Sequence, residues 1–212
     1  MENPGETLVD DYLRYIKECD FVNYNVYTKE TQGEIDVIGL RNNDKCAYIC
    51  EVVTHVTTGM QCVRDRRPET GKRLVRKFLK DIVYGRHAFP DYTVYYMLWS
   101  PVVKDSGGKD LYNQFQHLNY VREEVLAETD VTVQFVINED YLMAIDDLRA
   151  FAKQESKELK SPLMRFLQIE EWAKKHVALL NAREGMTAHR RDFDFVPLDD
   201  DQEPDGVLRE SQ

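Results

Sequence analysis

The chain has 212 residues, enough for one domain or for one domain with a helical appendage. Hydrophobic residues make up 42%, charged residues 31%, and mean hydropathy is −0.55. No run approaches the roughly eighteen uninterrupted apolar residues that a membrane span needs, so a transmembrane role is excluded and no membrane partner is expected.

The first twenty residues are acidic and lack both a basic n-region and an apolar h-region, so no secretory signal is read and a cytoplasmic location is expected. Cys19, Cys46, Cys50 and Cys62 include no C-x-x-C pair and no partnered His cluster. They read as reduced, mostly buried thiols rather than a zinc site or a disulfide framework. The net charge of −10, taken whole, argues against a generic nucleic-acid binder. Its distribution changes that reading. Residues 192–212 hold eight acids against Arg209, a net of −7 that leaves −3 for the rest, whereas residues 64–86 hold nine Lys/Arg and three acids, a net of +6.

In chain order, Leu8, Tyr12, Tyr15, Ile16 and Cys19 fall at helical spacing and predict a helix over 5–19 with Glu6 in its first turn. Phe21–Tyr27 alternates and is aromatic-rich, and Glu34–Arg41 and Lys45–His55 read as two more strands around a tight reversal at Asn42-Asn43-Asp44. Three consecutive antiparallel strands are expected. Residues 56–71 lack periodicity and read as a basic, mobile loop. Lys72–Tyr84 then sets Leu74, Val75, Phe78, Leu79, Ile82 and Val83 on one stripe and Lys72, Arg73, Arg76, Lys77 and Lys80 on the other, an amphipathic helix with a cationic outer face. Tyr92–Trp99 reads as a buried strand, 102–108 as a loop, 110–127 as a helix and Val131–Ile137 as a strand. Two further helices follow over 139–159 and 162–180, and then a polar, acidic tail that reads as disordered. The expected architecture is an α/β mixed sheet flanked by helices, with a core over 1–137, a helical extension over 138–181 and a tail over 182–212.

Carboxylates stand where a β-rich core would prefer apolar side chains. On Glu34–Leu40, alternation turns Ile35, Val37 and Gly39 one way and Glu34, Asp36 and Ile38 the other. Glu51 lies within an apolar run, where desolvating a carboxylate costs several kcal/mol unless a cation or donor compensates. Pairing the two strands at a residue sum of about 86 sets Asp36 opposite Cys50, one position from Glu51, so that both acids can share an ion. Hard cations such as Mg²⁺ or Mn²⁺ suit such a pair, completing their shell with water and phosphate. Glu6 could add a third ligand.

The arrangement Gly5-Glu6, then Gly33-Glu34-Ile35-Asp36-Val37-Ile38, then Tyr48-Ile49-Cys50-Glu51-Val52-Val53-Thr54 resembles the PD-(D/E)xK nuclease superfamily. It is most similar to the YraN-like and archaeal Holliday-junction-resolvase-like branches, and the likeness covers about residues 5–99. The resemblance implies a restriction-endonuclease-like αβββαβ core and a Mg²⁺- or Mn²⁺-dependent deoxyribonuclease. Glu6, Asp36 and Glu51 would be metal ligands, and the Val52 carbonyl a further oxygen donor. The family's lysine, two residues after the glutamate, is Val53 here. Superfamily members sometimes supply that cation from the following helix, which makes Lys72, Arg73 and Lys77 candidates. His55 lies on the same strand face as Glu51 but too far along it to substitute directly.

On this reading Arg64, Arg66, Arg67, Lys72, Arg73, Arg76 and Lys77 hold the nucleic-acid backbone, DNA rather than RNA, through sequence-independent contacts. A homodimer would suit cutting of both strands. The alternative is a catalytically inactive nuclease-fold protein that serves as a nucleic-acid or protein-binding module. Structural readings stand beside each assignment: salt-bridged strand-end acids for Asp36 and Glu51, a helix-dipole partner for Glu6, and a solvated face for the cations.

Overall fold

In the computed structural model, which describes residues 3–28, 33–107 and 112–184, the chain opens with α1 (Pro4–Tyr15). Asn3 caps it from extended backbone by accepting a hydrogen bond from the Gly5 N–H, and Pro4 stands in the first turn, where no amide donor is required. Leu8, Val9 and Leu13 form its buried stripe. Gly5 is demanded by close approach, because a Cβ there would overlap the Thr54 methyl and stand 3.0 Å from Val52 Cγ1.

β1 (Phe21–Thr28), β2 (Gly33–Arg41) and β3 (Cys46–Val52) form the expected antiparallel meander. A two-strand hairpin follows, β4 (Val63–Arg64) and β5 (Arg67–Pro68), and then α2 (Thr70–Ala88), β6 (Thr93–Ser100), α3 (Gln114–Thr129), β7 (Gln134–Ile137), α4 (Glu139–Gln154) and α5 (Pro162–Glu184). The main sheet runs in the order β1-β2-β3-β6-β7. β6 pairs parallel to β3, and β7 parallel to β6, because α2 and α3 carry the chain back across the sheet between them. The α/β class and the mixed sheet flanked by helices are therefore as the sequence implied.

β3 is the central strand and all seven of its residues are buried, which accounts for its nearly unbroken apolar run. Two cores lie on the two faces of the sheet. Leu8, Leu13, Val37, Tyr48, Cys50, Val52 and Trp99 pack with Tyr141, Ala144 and Leu148 of α4 and Met164 and Leu167 of α5. Ile35, Ile38, Ile49, Tyr96 and Leu98 pack with Leu74, Phe78 and Ile82 of α2 and Leu118, Val121 and Val125 of α3. The chain falls into two units, one running to Ala173 and one from Lys174 onward, the latter described only as the end of α5. The division expected at 137/138 falls inside the first unit, since α4 and the start of α5 complete its core. The acidic tail lies outside the described residues from 185 onward. No helix among the described residues is long and apolar enough to cross a membrane.

Several local expectations are corrected. The reversal between β2 and β3 spans Asn42 to Lys45, with Lys45 at φ 51°, so Arg41 pairs with Cys46 and Val37 with Cys50. That register, continued by one residue, sets Asp36 across from Glu51 rather than Cys50. Simple alternation also fails on β2: Ile35 joins the α2-side core with Ile38, while Val37 joins the opposite one. The break coincides with Asn25 on β1, which has φ 48° and sits where the β1–β2 pairing skips Asp36. The register is the same on both sides of this point, so no residue is inserted and the irregularity is local to Asn25 and Asp36. The strand expected to reach His55 stops at Val52.

Residues 56–71 are tied down as well as irregular. Asp65 and Arg66 take positive φ, the signature of a tight hairpin turn. Buried Gln114 accepts from the Met60 and Lys104 amides and donates to the Thr58 carbonyl. On α2, Val83 is exposed, and Asp81 and Gly85 take the inward positions instead.

Candidate active site

The ends of β2 and β3 and the first half of α2 converge on one set of side chains. Glu51 points from the central strand toward α2, with its side chain 2% exposed. Asp36, which the β1–β2 pairing skips, is 16% exposed. Its Oδ2 accepts a 2.7 Å hydrogen bond from the Val52 N–H, so this carboxylate takes an amide just beyond the last β2–β3 pair and fixes the spacing of the two strands.

Lys77 joins them. Its Nζ lies 3.1 Å from Asp36 Oδ1 and also pairs with Glu51 Oε2. The helix delivers it because Lys77 borders the buried stripe, with Leu74 three residues before and Asp81 four residues after, and its long stem lets the ammonium reach the sheet. Lys77 therefore does not belong to the solvated face on which the periodicity placed it. Lys72, Arg73 and Arg76 do remain exposed there.

The charges do not balance. Two carboxylates face one ammonium, and Glu51 Oε1 is buried without a hydrogen-bond partner among the described residues. An unsatisfied buried acceptor costs about 1–3 kcal/mol, more when charged, and a second cation is the direct remedy. One turn further along α2, Asp81 is buried, and burial pushes its carboxyl up to about 7 against the opposing pull of Lys77.

A cavity of about 210 Å³ opens on this group and is lined by Asn3, Thr54, Gln61, Cys62 and Arg73 as well as Asp36, Glu51, Val52 and Lys77. Its donor set, two carboxylates and adjoining backbone, is hard oxygen, and with the lone Glu51 oxygen it fits a small divalent ion that keeps several waters. Glu6 is not brought to the group. Its Oε1 accepts from Asn3 Nδ2 at 2.8 Å, and Asn3, which also accepts from Thr54 Oγ1, is the α1-end residue that lines the cavity. Among the described residues no three His, Cys, Asp or Glu side chains gather as a metal cluster.

Val53 packs with the α2-side core. His55, beyond the strand end, is exposed and lines the cavity. Arg64, Arg66 and Arg67 are all exposed on the β4–β5 hairpin, while Arg76 pairs with Glu69 at 3.3 Å. Cys62 accepts a weak hydrogen bond from Arg73 Nη1 at 3.8 Å, and its backbone is held by the Thr70 hydroxyl. All four thiols are free, three of them buried. Asn3, Gln61, Thr70 and Asp81 were not picked out in the sequence. Only Asp81 left a trace there, as an acid at a stripe position of an otherwise cationic helix.

Comparison with protein-family models, with curated proteins and with solved structures finds no match.

Proposed function

We propose that this protein is a Mg²⁺- or Mn²⁺-dependent phosphodiesterase of the PD-(D/E)xK type, acting on DNA. The observation that carries the proposal is the Lys77 ammonium in contact with both Asp36 and Glu51. It supplies from α2 the cation that Val53 denies to β3. The element order α1-β1-β2-β3-α2-β6 accords with a restriction-endonuclease-like core.

Asp36 and Glu51 would hold the ion, with the Val52 carbonyl as a further donor. When bound, such an ion polarises the scissile phosphate and lowers the pKa of a coordinated water. Lys77 lines the same cavity and would be the cation that offsets charge building on the phosphate oxygens. Arg73 borders the same cavity, and Arg64, Arg66 and Arg67 are exposed on the β4–β5 hairpin, side chains suited to backbone phosphates. The alternative of an inactive binding module drew its support from Val53, and the placement of Lys77 removes the need for a strand lysine.

The test is plasmid and oligonucleotide cleavage with Mn²⁺ by the full chain and by Asp36→Ala, Glu51→Ala and Lys77→Met. Cleavage by the wild type and loss in all three variants is expected. Cleavage that continues unchanged in the two carboxylate variants would refute the assignment, and DNA binding without cleavage in the wild type would favour the binding module.

A further inference from the structure

Lys77 presents a conflict that the function proposed above does not resolve. Its ammonium sits against the same carboxylate oxygens that a divalent cation would use. Like charges a few ångströms apart in a partly buried site repel by several kcal/mol, so ion and ammonium cannot share the pair in this arrangement. Lys77 has to give up at least one carboxylate, and the stability of the loaded site depends on where its charge goes.

The surroundings offer one buried acceptor. Asp81 is on the same helix at i+4, the spacing at which side chains meet, and is 4% exposed. Its Oδ2 is buried with no hydrogen-bond partner among the described residues. Lys77 and Asp81 line a common depression of about 200 Å³ together with Glu34, Arg73 and Lys80. Glu34, the other acid there, is exposed and already solvated, so it gains little from an ammonium.

We propose that Asp81 is a positioning residue that receives the Lys77 ammonium when a divalent cation occupies Asp36 and Glu51, and that it thereby sets the affinity of the site for that cation. The proposal rests on the metal site proposed above. It makes α2 a carrier of two alternative ion pairs, Lys77 with the strand carboxylates in the free site and Lys77 with Asp81 in the loaded one.

The experiment is calorimetric titration of the full chain with MnCl₂. Asp81→Asn is expected to weaken Mn²⁺ binding about tenfold, within the usual range for coupled sites, while Glu34→Gln leaves it unchanged. Lys77→Met should tighten binding, because the competitor is gone, and in that background Asp81→Asn should change affinity less than about twofold. Equal weakening by Asp81→Asn in both backgrounds would overturn the proposal, since Asp81 would then act on the ion directly rather than through Lys77.

A second measurement needs no change at position 81. In protein carrying ¹³C-lysine, the Lys77 Cε signal, assigned by its loss in Lys77→Met, should shift as Mg²⁺ is added, and a signal that stays in place would overturn the switch. Mn²⁺ binding that is absent, or indifferent to Asp36→Asn and Glu51→Gln, would overturn the metal site itself. Binding that needs both carboxylates yet ignores Asp81→Asn would overturn the switch alone.

Discussion

Lys77 of α2 and Glu51 of β3 form an ion pair in which the carboxylate is almost wholly buried and the ammonium side chain 28% exposed. The pair clamps the crossover helix onto the central strand. It also leaves the more deeply buried partner dependent on the other, since Glu51 Oε1 has no further donor among the described residues.

Removing Lys77 should therefore cost more than removing the charge it neutralises. Lys77→Met is expected to lower unfolding stability by roughly 3 kcal/mol, because a buried charge loses its partner. Glu51→Gln should cost less, and the double variant should be no worse than Lys77→Met alone. Urea unfolding of the four proteins at pH 7 measures this coupling, and strictly additive losses would show that the two groups act independently.

Asp11 on α1 supplies a pH dependence. Its carboxyl is buried and raised from 3.8 to about 6, chiefly by desolvation and further by Asp10, against the Ser161 hydroxyl that donates to it and the nearby Arg14. A carboxyl with a raised folded-state pKa favours folding while protonated. That advantage is complete below about 3.8 and is lost as pH rises through about 6, a difference of roughly 3 kcal/mol. Asp11→Asn keeps an acceptor for Ser161 without the buried charge. It should be more stable than wild type at pH 7.5, with the advantage vanishing near pH 4. Thermal unfolding across that range reads it directly.

The join between α1 and β3 should tolerate no side chain at Gly5. Gly5→Ala places a methyl against Thr54 and Val52, and α1 must shift to admit it. A loss of roughly 2 kcal/mol is expected, typical of overpacking, despite the better helix propensity of alanine. Because Asn3 is carried on the same turn, the hydrogen bonds it accepts from Thr54 Oγ1 and from the residue 5 N–H should weaken as well, the latter seen as faster hydrogen exchange at the residue 5 amide.

The hairpin arginines are open to a test that leaves the core untouched. Replacing Arg64, Arg66 and Arg67 together by Ala should not change the melting temperature, since all three are exposed. If they neutralise phosphates, the dependence of log affinity for duplex DNA on log salt should become shallower by about 0.9 for each phosphate that goes without its arginine. An unchanged slope would assign these side chains to solvent.

What could be read in the chain was periodic and local. Alternation in Phe21–Tyr27, the apolar stripe Leu74-Val75-Phe78-Ile82 and the run of Cys46–Val52, apolar but for Glu51, each record one element's exposure to one environment, and so the mixed sheet and its flanking helices were legible. Asp36 and Glu51 were legible for the same reason, as acids where their strands call for apolar groups.

Their relation was not legible. The pairing slipped by one residue because the reversal takes in Lys45, whose positive φ no composition rule required, and Ile35 leaves the face that alternation gives it at the point where Asn25 of the neighbouring strand takes positive φ. Lys77 reads by periodicity as one more cation on a charged face, and its inward turn depends on how α2 lies across β3. Helical spacing constrains direction to within a fraction of a turn, whereas a lysine's flexible stem can cross that margin when an unpaired carboxylate lies within reach. That choice is made by burial and charge at the helix–sheet contact, which exists only after the strands have paired and the helix has crossed over them.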